Sequence, residues 1–267
     1  MREAGSRARI ALGLSYRGTA YHGWQSQPDG QTVQDRLEQA LSRFADAPVR
    51  TICAGRTDTG VHALQQVVHL DPPVIRREVS WVRGTNRYLP DDIALQWCRE
   101  VPSDFHARHH ARGRRYRYVL LGSPVRPSVE AGLVGWTFND LDAQAMQQAA
   151  AHLIGEHDFS SFRAAACQAA SPVKTLRSVR VHRRGAYWLL DFDASAFLHH
   201  MVRNIVGCLV AVGSGRQPPG WLAEVLAARS RDAAAPTFAP DGLYFVGPYY
   251  DEGLGLPAHT PAMDWWP

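Results

Sequence analysis

One carboxylate in this chain is set apart by its neighbours. Asp58 lies in Cys53-Ala54-Gly55-Arg56-Thr57-Asp58-Thr59-Gly60-Val61-His62-Ala63, between two threonines, with a glycine toward each end and an arginine two positions before it. Glycines permit positive φ and let backbone approach a ligand closely. Threonine hydroxyls can hydrogen-bond neighbouring main chain and fix a turn. A carboxylate displayed in this way suits covalent or acid–base work on a bound group.

The charge pattern indicates what that group is. The chain carries a net charge of +4, and with Lys174 as its one lysine all but one of its 29 basic residues are arginine. The planar guanidinium suits bidentate phosphate contact and stacking on bases. The densest basic run is Arg108, Arg112, Arg114, Arg115 and Arg117 with His109 and His110, and it leads into a stretch where arginine alternates with Tyr116 and Tyr118. A basic run alone reads as a solvated face. Interleaved tyrosines favour nucleic acid instead, because bases stack on the rings while arginines hold the backbone. Asp58 is therefore read as acting on a nucleic-acid base that the rest of the chain delivers.

Other chemistries are less well served. No G-x-x-x-x-G-K-[ST] is present, and a single lysine leaves little scope for Schiff-base chemistry. His106, His109, His110, His199 and His200 fit neither H-E-x-x-H nor H-x-E with C-x-x-C, so no metal is expected. Cys53, Cys98, Cys167 and Cys208 are too scattered for a disulfide framework or a structural zinc site. Asp58-Thr59-Gly60 also spells the Asp-Thr-Gly of aspartic proteases, which need two aspartates sharing a proton. Here there is one copy beside Arg56, so only a symmetric dimer would complete that site. A non-catalytic RNA-binding protein would account for the arginines and tyrosines but gives no reason for the Asp58 loop.

The elements that must position these residues follow from periodicity. Ile10, Leu12, Leu14 and Tyr16 alternate as a strand does. A helix opens at Thr32 with Asp35 three residues on, a variant capping box, and carries Val33, Leu37, Leu41 and Phe44 on one stripe. Strands at 49–53 and 66–70 flank the Asp58 loop, a helix covers 80–88, and a strand covers 93–98. That order is β-α-β-β-α-β, the ferredoxin-like or RRM-like arrangement. The second half shows a strand at 116–120, a helix at 142–153, strands at 174–183 and 186–194 around Arg184-Gly185, a long helix at 197–212, a helix at 221–228 and a strand at 243–246. On the long helix Met201, Ile205, Cys208, Leu209 and Val212 face inward, and Arg203, four residues after His199, shares that histidine's face. The expected fold class is α+β: two RRM-like halves with antiparallel sheets around a central cleft. The halves are residues 1–104, carrying the Asp58 loop, and 105–250, with 251–267 as a tail ending in Trp265-Trp266-Pro267. No run is apolar enough to span a bilayer and no signal-peptide pattern is present, so a cytoplasmic location is expected.

Several of these stretches together resemble the tRNA pseudouridine synthase A family. They are S-Y-R-G-T-A-Y-H-G-W-Q (Ser15 to Gln25), G-R-T-D-T-G-V-H-A (Gly55 to Ala63), L-P-D-D-I (Leu89 to Ile93), F-H-A-R (Phe105 to Arg108), G-R-R-Y-R-Y (Gly113 to Tyr118), D-F-S-S-F (Asp158 to Phe162), F-L-H-H-M-V-R-N-I-V-G (Phe197 to Gly207) and A-P-D-G-L-Y-F (Ala239 to Phe245). Thr59 stands where that family usually has alanine, and His109-His110 replace its usual residues before G-R-R-Y. The resemblance implies the pseudouridine synthase fold and a cofactor-free homodimer that isomerises uridine to pseudouridine at positions 38 to 40 of the tRNA anticodon stem-loop. It implies that Asp58, Tyr116 and Arg203 are catalytic: Asp58 attacks or supports the sugar or base, Tyr116 stacks on the uracil and assists proton removal from C5, and Arg203 pairs with Asp58. It further implies that Arg56 fills the gap left by the flipped base, that Leu243 packs on the uracil edge, and that Arg114 and Arg115 grip phosphates.

Overall fold

A computed structural model describes residues 9–258 and 260 of the 267. The chain divides into two compact units, Met1–Arg112 with Phe245–Pro267, and Gly113–Tyr244. The first change of unit falls at Arg112/Gly113, and the segment from Phe245 groups with the first unit.

The first unit follows the β-α-β-β-α-β order: β1 (Arg9–Tyr16), α1 (Val33–Ala45), β2 (Ile52–Cys53), β3 (His62–Leu70), α2 (Glu78–Asn86) and β4 (Ile93–Val101). β1 is the middle strand, antiparallel to β3 on one side and β4 on the other. Ile10, Leu12 and Leu14 are buried, as alternation requires, and so is Ala11 on the opposite side, because both faces of the strand are covered. α1 opens as its capping box dictates, with the Thr32 hydroxyl accepting from Asp35 N–H. Phe44, the last member of its stripe, packs edge-on against Trp81 of α2 at 5.2 Å between ring centroids.

Glu38 ties α1 to β2, the strand that leads into the Asp58 loop. Its buried carboxylate accepts from Gln34 Nε2 (2.9 Å), Thr51 N (2.8 Å), Thr51 Oγ1 (3.0 Å) and Arg50 Nη1 (2.9 Å). Glu38→Ala would leave the buried Thr51 donors without an acceptor, so we expect it to cost roughly 2–4 kcal/mol, read as a lower urea midpoint at unchanged m-value.

The segment read as a tail is packed as far as it is described. Arg112 makes a bidentate pair with Asp251 (2.8 and 2.6 Å), Gln65 Nε2 donates to Pro257 O (2.8 Å), and Tyr250, Leu254 and Leu256 lie on the cluster of Trp97, Val101 and Phe105. Trp265 and Trp266 lie outside the described residues.

The second unit contains β5 (Gly113–Gly122), β6 (Gly135–Thr137), α3 (Ala143–Ala151), β7 (Gly155–Asp158), β8 (Val173–Arg184), β9 (Tyr187–Ala194), α4 (Met201–Gly213) and α5 (Trp221–Ala228), and β10 (Leu243–Tyr249) begins in it. β5, β9, β8 and β7 form an antiparallel run, and the short β6 pairs parallel with β5. β6 and β7 were not expected from the sequence. At three and four residues they are too short to show a period.

The long helix begins at Met201, not at Phe197. Leu198 O accepts from Met201 N–H in a turn, His200 adopts left-handed backbone (φ 62°), and the first helical bond, Asn204 N–H to His200 O, comes after it. His199 therefore precedes the helix, and the expected i, i+4 relation with Arg203 does not hold. The inward stripe does hold: every residue of α4 is buried except Arg203.

Candidate active site

The Asp58 loop is built inside the first unit. Asp58 O accepts from Val61 N–H (3.1 Å), closing a turn with Gly60 at φ 79° in its third position, as a type II turn requires. Gly55, at the other end, does not take positive φ; its Cα faces the Phe245 ring, which an added Cβ would meet at 3.6 Å. Gly23, at φ 85°, lies against the loop so closely that a Cβ there would come within 2.8 Å of Thr57 O. Trp24 N–H donates to that same oxygen at 3.0 Å.

Within the loop Arg56 and Thr59 are exposed, Asp58 is half-buried and Thr57 is buried. Thr57 does not bond neighbouring main chain through its hydroxyl, as its type had suggested. Its Oγ1 shares a hydrogen bond with the Tyr16 phenol at 2.7 Å. Burial raises the pKa of that phenol, so it stays protonated at neutral pH. Just upstream, burial also holds the Cys53 thiol in its neutral form. Arg56 and Asp58 thus share one loop on either side of an inward-pointing threonine.

The other sequence-derived residues fall in the second unit. Arg114, Tyr116 and Tyr118 alternate along β5 with Arg115 and Arg117, so the two sets point to opposite faces. On the first face Arg114 Nη1 donates to Ser195 O (3.1 Å), and Tyr116 packs edge-on against Phe197, with centroids 5.0 Å apart and planes at 79°. Tyr118 is buried and donates to Ala239 O (2.8 Å). On the second face Arg115 and Arg117 sit in register with Asp193 and Asp191 of β9. Arg117 grips Asp191 with two bonds of 2.5 and 3.1 Å, and Arg177 of β8 reaches Asp193 at 3.3 Å. That face is a ladder of cross-strand ion pairs. The sequence shows its acids as Asp-Phe-Asp at 191–193, but the pairing register that matches them to the arginines is not local information.

Arg203 is oriented by backbone. Its Nε–H donates to Phe238 O (2.8 Å), and its own carbonyl accepts from Phe238 N–H (3.2 Å). Buried Asn204 continues the clamp, donating to Phe162 O (2.8 Å) and accepting from Thr237 Oγ1 (2.7 Å). At Gly207 an added Cβ would lie 2.3 Å from Pro236 O, so only glycine lets the 236–238 segment lie this close to α4. Leu243 is buried at the start of β10, its N–H bonded to Pro240 O at 2.8 Å. The partners Phe197, Ser195 and Phe238 were not singled out from sequence. Only Phe197 gave a signal, as the first residue of F-L-H-H-M-V-R-N-I-V-G.

A family profile described as tRNA pseudouridine synthase matches this chain over residues 14–110 and 149–251. The chain is similar to a tRNA pseudouridine synthase A of Methylibium petroleiphilum, at 71% identity over 97% of this chain and all of the other. It is also similar to a tRNA pseudouridine synthase A of Polaromonas naphthalenivorans, at 65% identity over the same shares. Among solved structures, a crystal structure of a Cbf5-Nop10-Gar1 complex overlaps 84% of this chain and 60% of that one at 11% identity and a TM-score of 0.34, a likeness too slight to bear on fold or function.

Proposed function

The chain belongs to the tRNA pseudouridine synthase family, and we propose that it isomerises uridine to pseudouridine at positions 38 to 40 of the tRNA anticodon stem-loop. The observation that carries this reading is the Asp58 turn: a half-buried carboxylate on a braced loop, in a chain similar over nearly its whole length to named synthases.

The reaction breaks N1–C1′, turns the uracil and joins C5 to C1′. C5 loses a proton and N1 gains one, so the product is an isomer and no cofactor is consumed. A base inside a stem cannot be reached, so it is flipped out, at about a few kcal/mol. Asp58 acts as carboxylate on the exposed sugar or base, by attack or by electrostatic support. Tyr116 stacks on the uracil and assists proton removal from C5, its ring already held from one side by Phe197. Arg203 keeps the acting carboxylate ionised. Arg56, exposed beside Asp58, takes the place of the flipped base, and Leu243 packs on the uracil edge.

Arg114 and Arg115 hold phosphates in the same reading. Changing both to alanine is expected to weaken tRNA binding and to lower the slope of log K against log salt by about 0.7 for each phosphate no longer neutralised. Titrations at several salt concentrations check this, and an unchanged slope returns these arginines to a role inside the sheet. The chain is further read as a cytoplasmic homodimer. Among the described residues no helix is long and apolar enough to cross a membrane.

The test is to incubate the purified protein with unmodified tRNA and map pseudouridine by sequence position. Product confined to 38–40 supports the assignment. Product elsewhere removes the site assignment, and tRNA bound without product points to a non-catalytic RNA-binding protein.

A further inference from the structure

The Asp58 turn rests on a buried polar network that the reaction itself does not use. Tyr16 on β1, Thr57 in the loop and Gln66 on β3 are all buried. The Tyr16 phenol meets Thr57 Oγ1 at 2.7 Å. Gln66 holds both peptide groups of Gly55: its Nε2 donates to Gly55 O (2.5 Å) and its Oε1 accepts from Gly55 N–H (3.4 Å). The same Oε1 accepts from Val67 N–H (3.2 Å), which fixes the carboxamide against its own strand.

We infer that Tyr16 and Gln66 are positioning residues for the Asp58 carboxylate, acting through Thr57 and Gly55; this rests on Asp58 being the acting group. Three observations converge on it. First, Thr57 is buried between exposed Arg56 and half-buried Asp58, so its hydroxyl bond to Tyr16 pins the segment that carries both. Second, the network anchors to the sheet where the β1–β3 register slips between Leu14, opposite Gln66, and Tyr16, opposite Ala63. Such irregularities re-aim side chains and occur next to active sites. Third, the two buried hydroxyls are hydrogen-bonded to each other and the carboxamide to the loop backbone at Gly55, the condition under which buried polar groups rigidify their surroundings. Packing alone would be served as well by phenylalanine at 16 and valine at 57.

The test compares Tyr16→Phe, Thr57→Val and Thr57→Ser with Asp58→Ala in one tritium-release assay on C5-labelled tRNA, with thermal unfolding of each protein. Misplacing a reacting group by about 1 Å costs on the order of a hundredfold in rate. Tyr16→Phe and Thr57→Val are therefore expected to lose about tenfold to a hundredfold in kcat with KM nearly unchanged, while Thr57→Ser, which restores the hydroxyl, recovers most of the loss. If Tyr16→Phe does not fold, the Thr57→Val and Thr57→Ser pair decides the matter alone. Wild-type kcat with a lowered Tm in the Phe and Val variants would make the network structural and overturn the inference while leaving Asp58 in place. Full activity of Asp58→Ala would remove the underlying reading and the inference with it.

Discussion

Asp58→Ala is expected to bind tRNA within about threefold of the parent protein, because most of the affinity lies in phosphate contacts made by other residues. It is expected to release no tritium from C5-labelled uridine, a fall of at least about 10⁴-fold on the scale set by deleting a nucleophile. Asp58→Asn sharpens the experiment. The amide keeps the size and most of the hydrogen-bonding shape of the carboxylate but not its charge, and Asp58 is only half-buried, so the turn closed by Asp58 O, Gly60 and Val61 N–H should form unchanged. Both variants should therefore unfold near the parent temperature and both should be inactive. Turnover by either would remove the carboxylate from the chemistry.

The second large effect is expected at Tyr116. Tyr116→Phe keeps the ring, its edge-on contact with Phe197 and its capacity to stack, and removes only the hydroxyl. Positioned proton transfer contributes about 10²–10⁴-fold, so kcat should fall by that range while KM moves little. Tyr116→Ala should in addition lose stacking of the base, about 1–3 kcal/mol, and so weaken binding of the flipped nucleotide. The two variants together separate holding the uracil from removing its proton. A phenylalanine variant turning over at the parent rate would leave Tyr116 as a stacking platform only.

These predictions use residues that were legible in different degrees. Asp58, Arg56 and Tyr116 announce themselves by type and spacing, because glycine, threonine and alternating tyrosine have local consequences. The capping of α1 by Thr32 and the inward stripe of α4 were equally plain, since each is a periodicity within one helix. The start of α4 was not. Phe197 to His200 has the composition of a helix, yet Phe197 is committed to the Tyr116 ring and His200 to left-handed backbone, and neither requirement is local. The basic strand shows the same divide. Its alternation is readable, but the arginines on its two faces differ: Arg114 bonds a backbone carbonyl, whereas Arg117 is held by an aspartate 74 residues away.

The sequence by itself determined the α+β class, the order of elements in the first half, the acid on its turn and, by resemblance, the family. Only the tertiary structure decided what holds those residues still: Tyr16 against Thr57, 41 residues apart, Gln66 around Gly55, and the Phe238 backbone around Arg203. The reason is physical. Helix and strand periods repeat over a few residues and leave their imprint on the chain, whereas a buried hydroxyl, carboxamide or guanidinium takes whatever partner packing brings to it, and that partner is fixed only once strands have chosen their register.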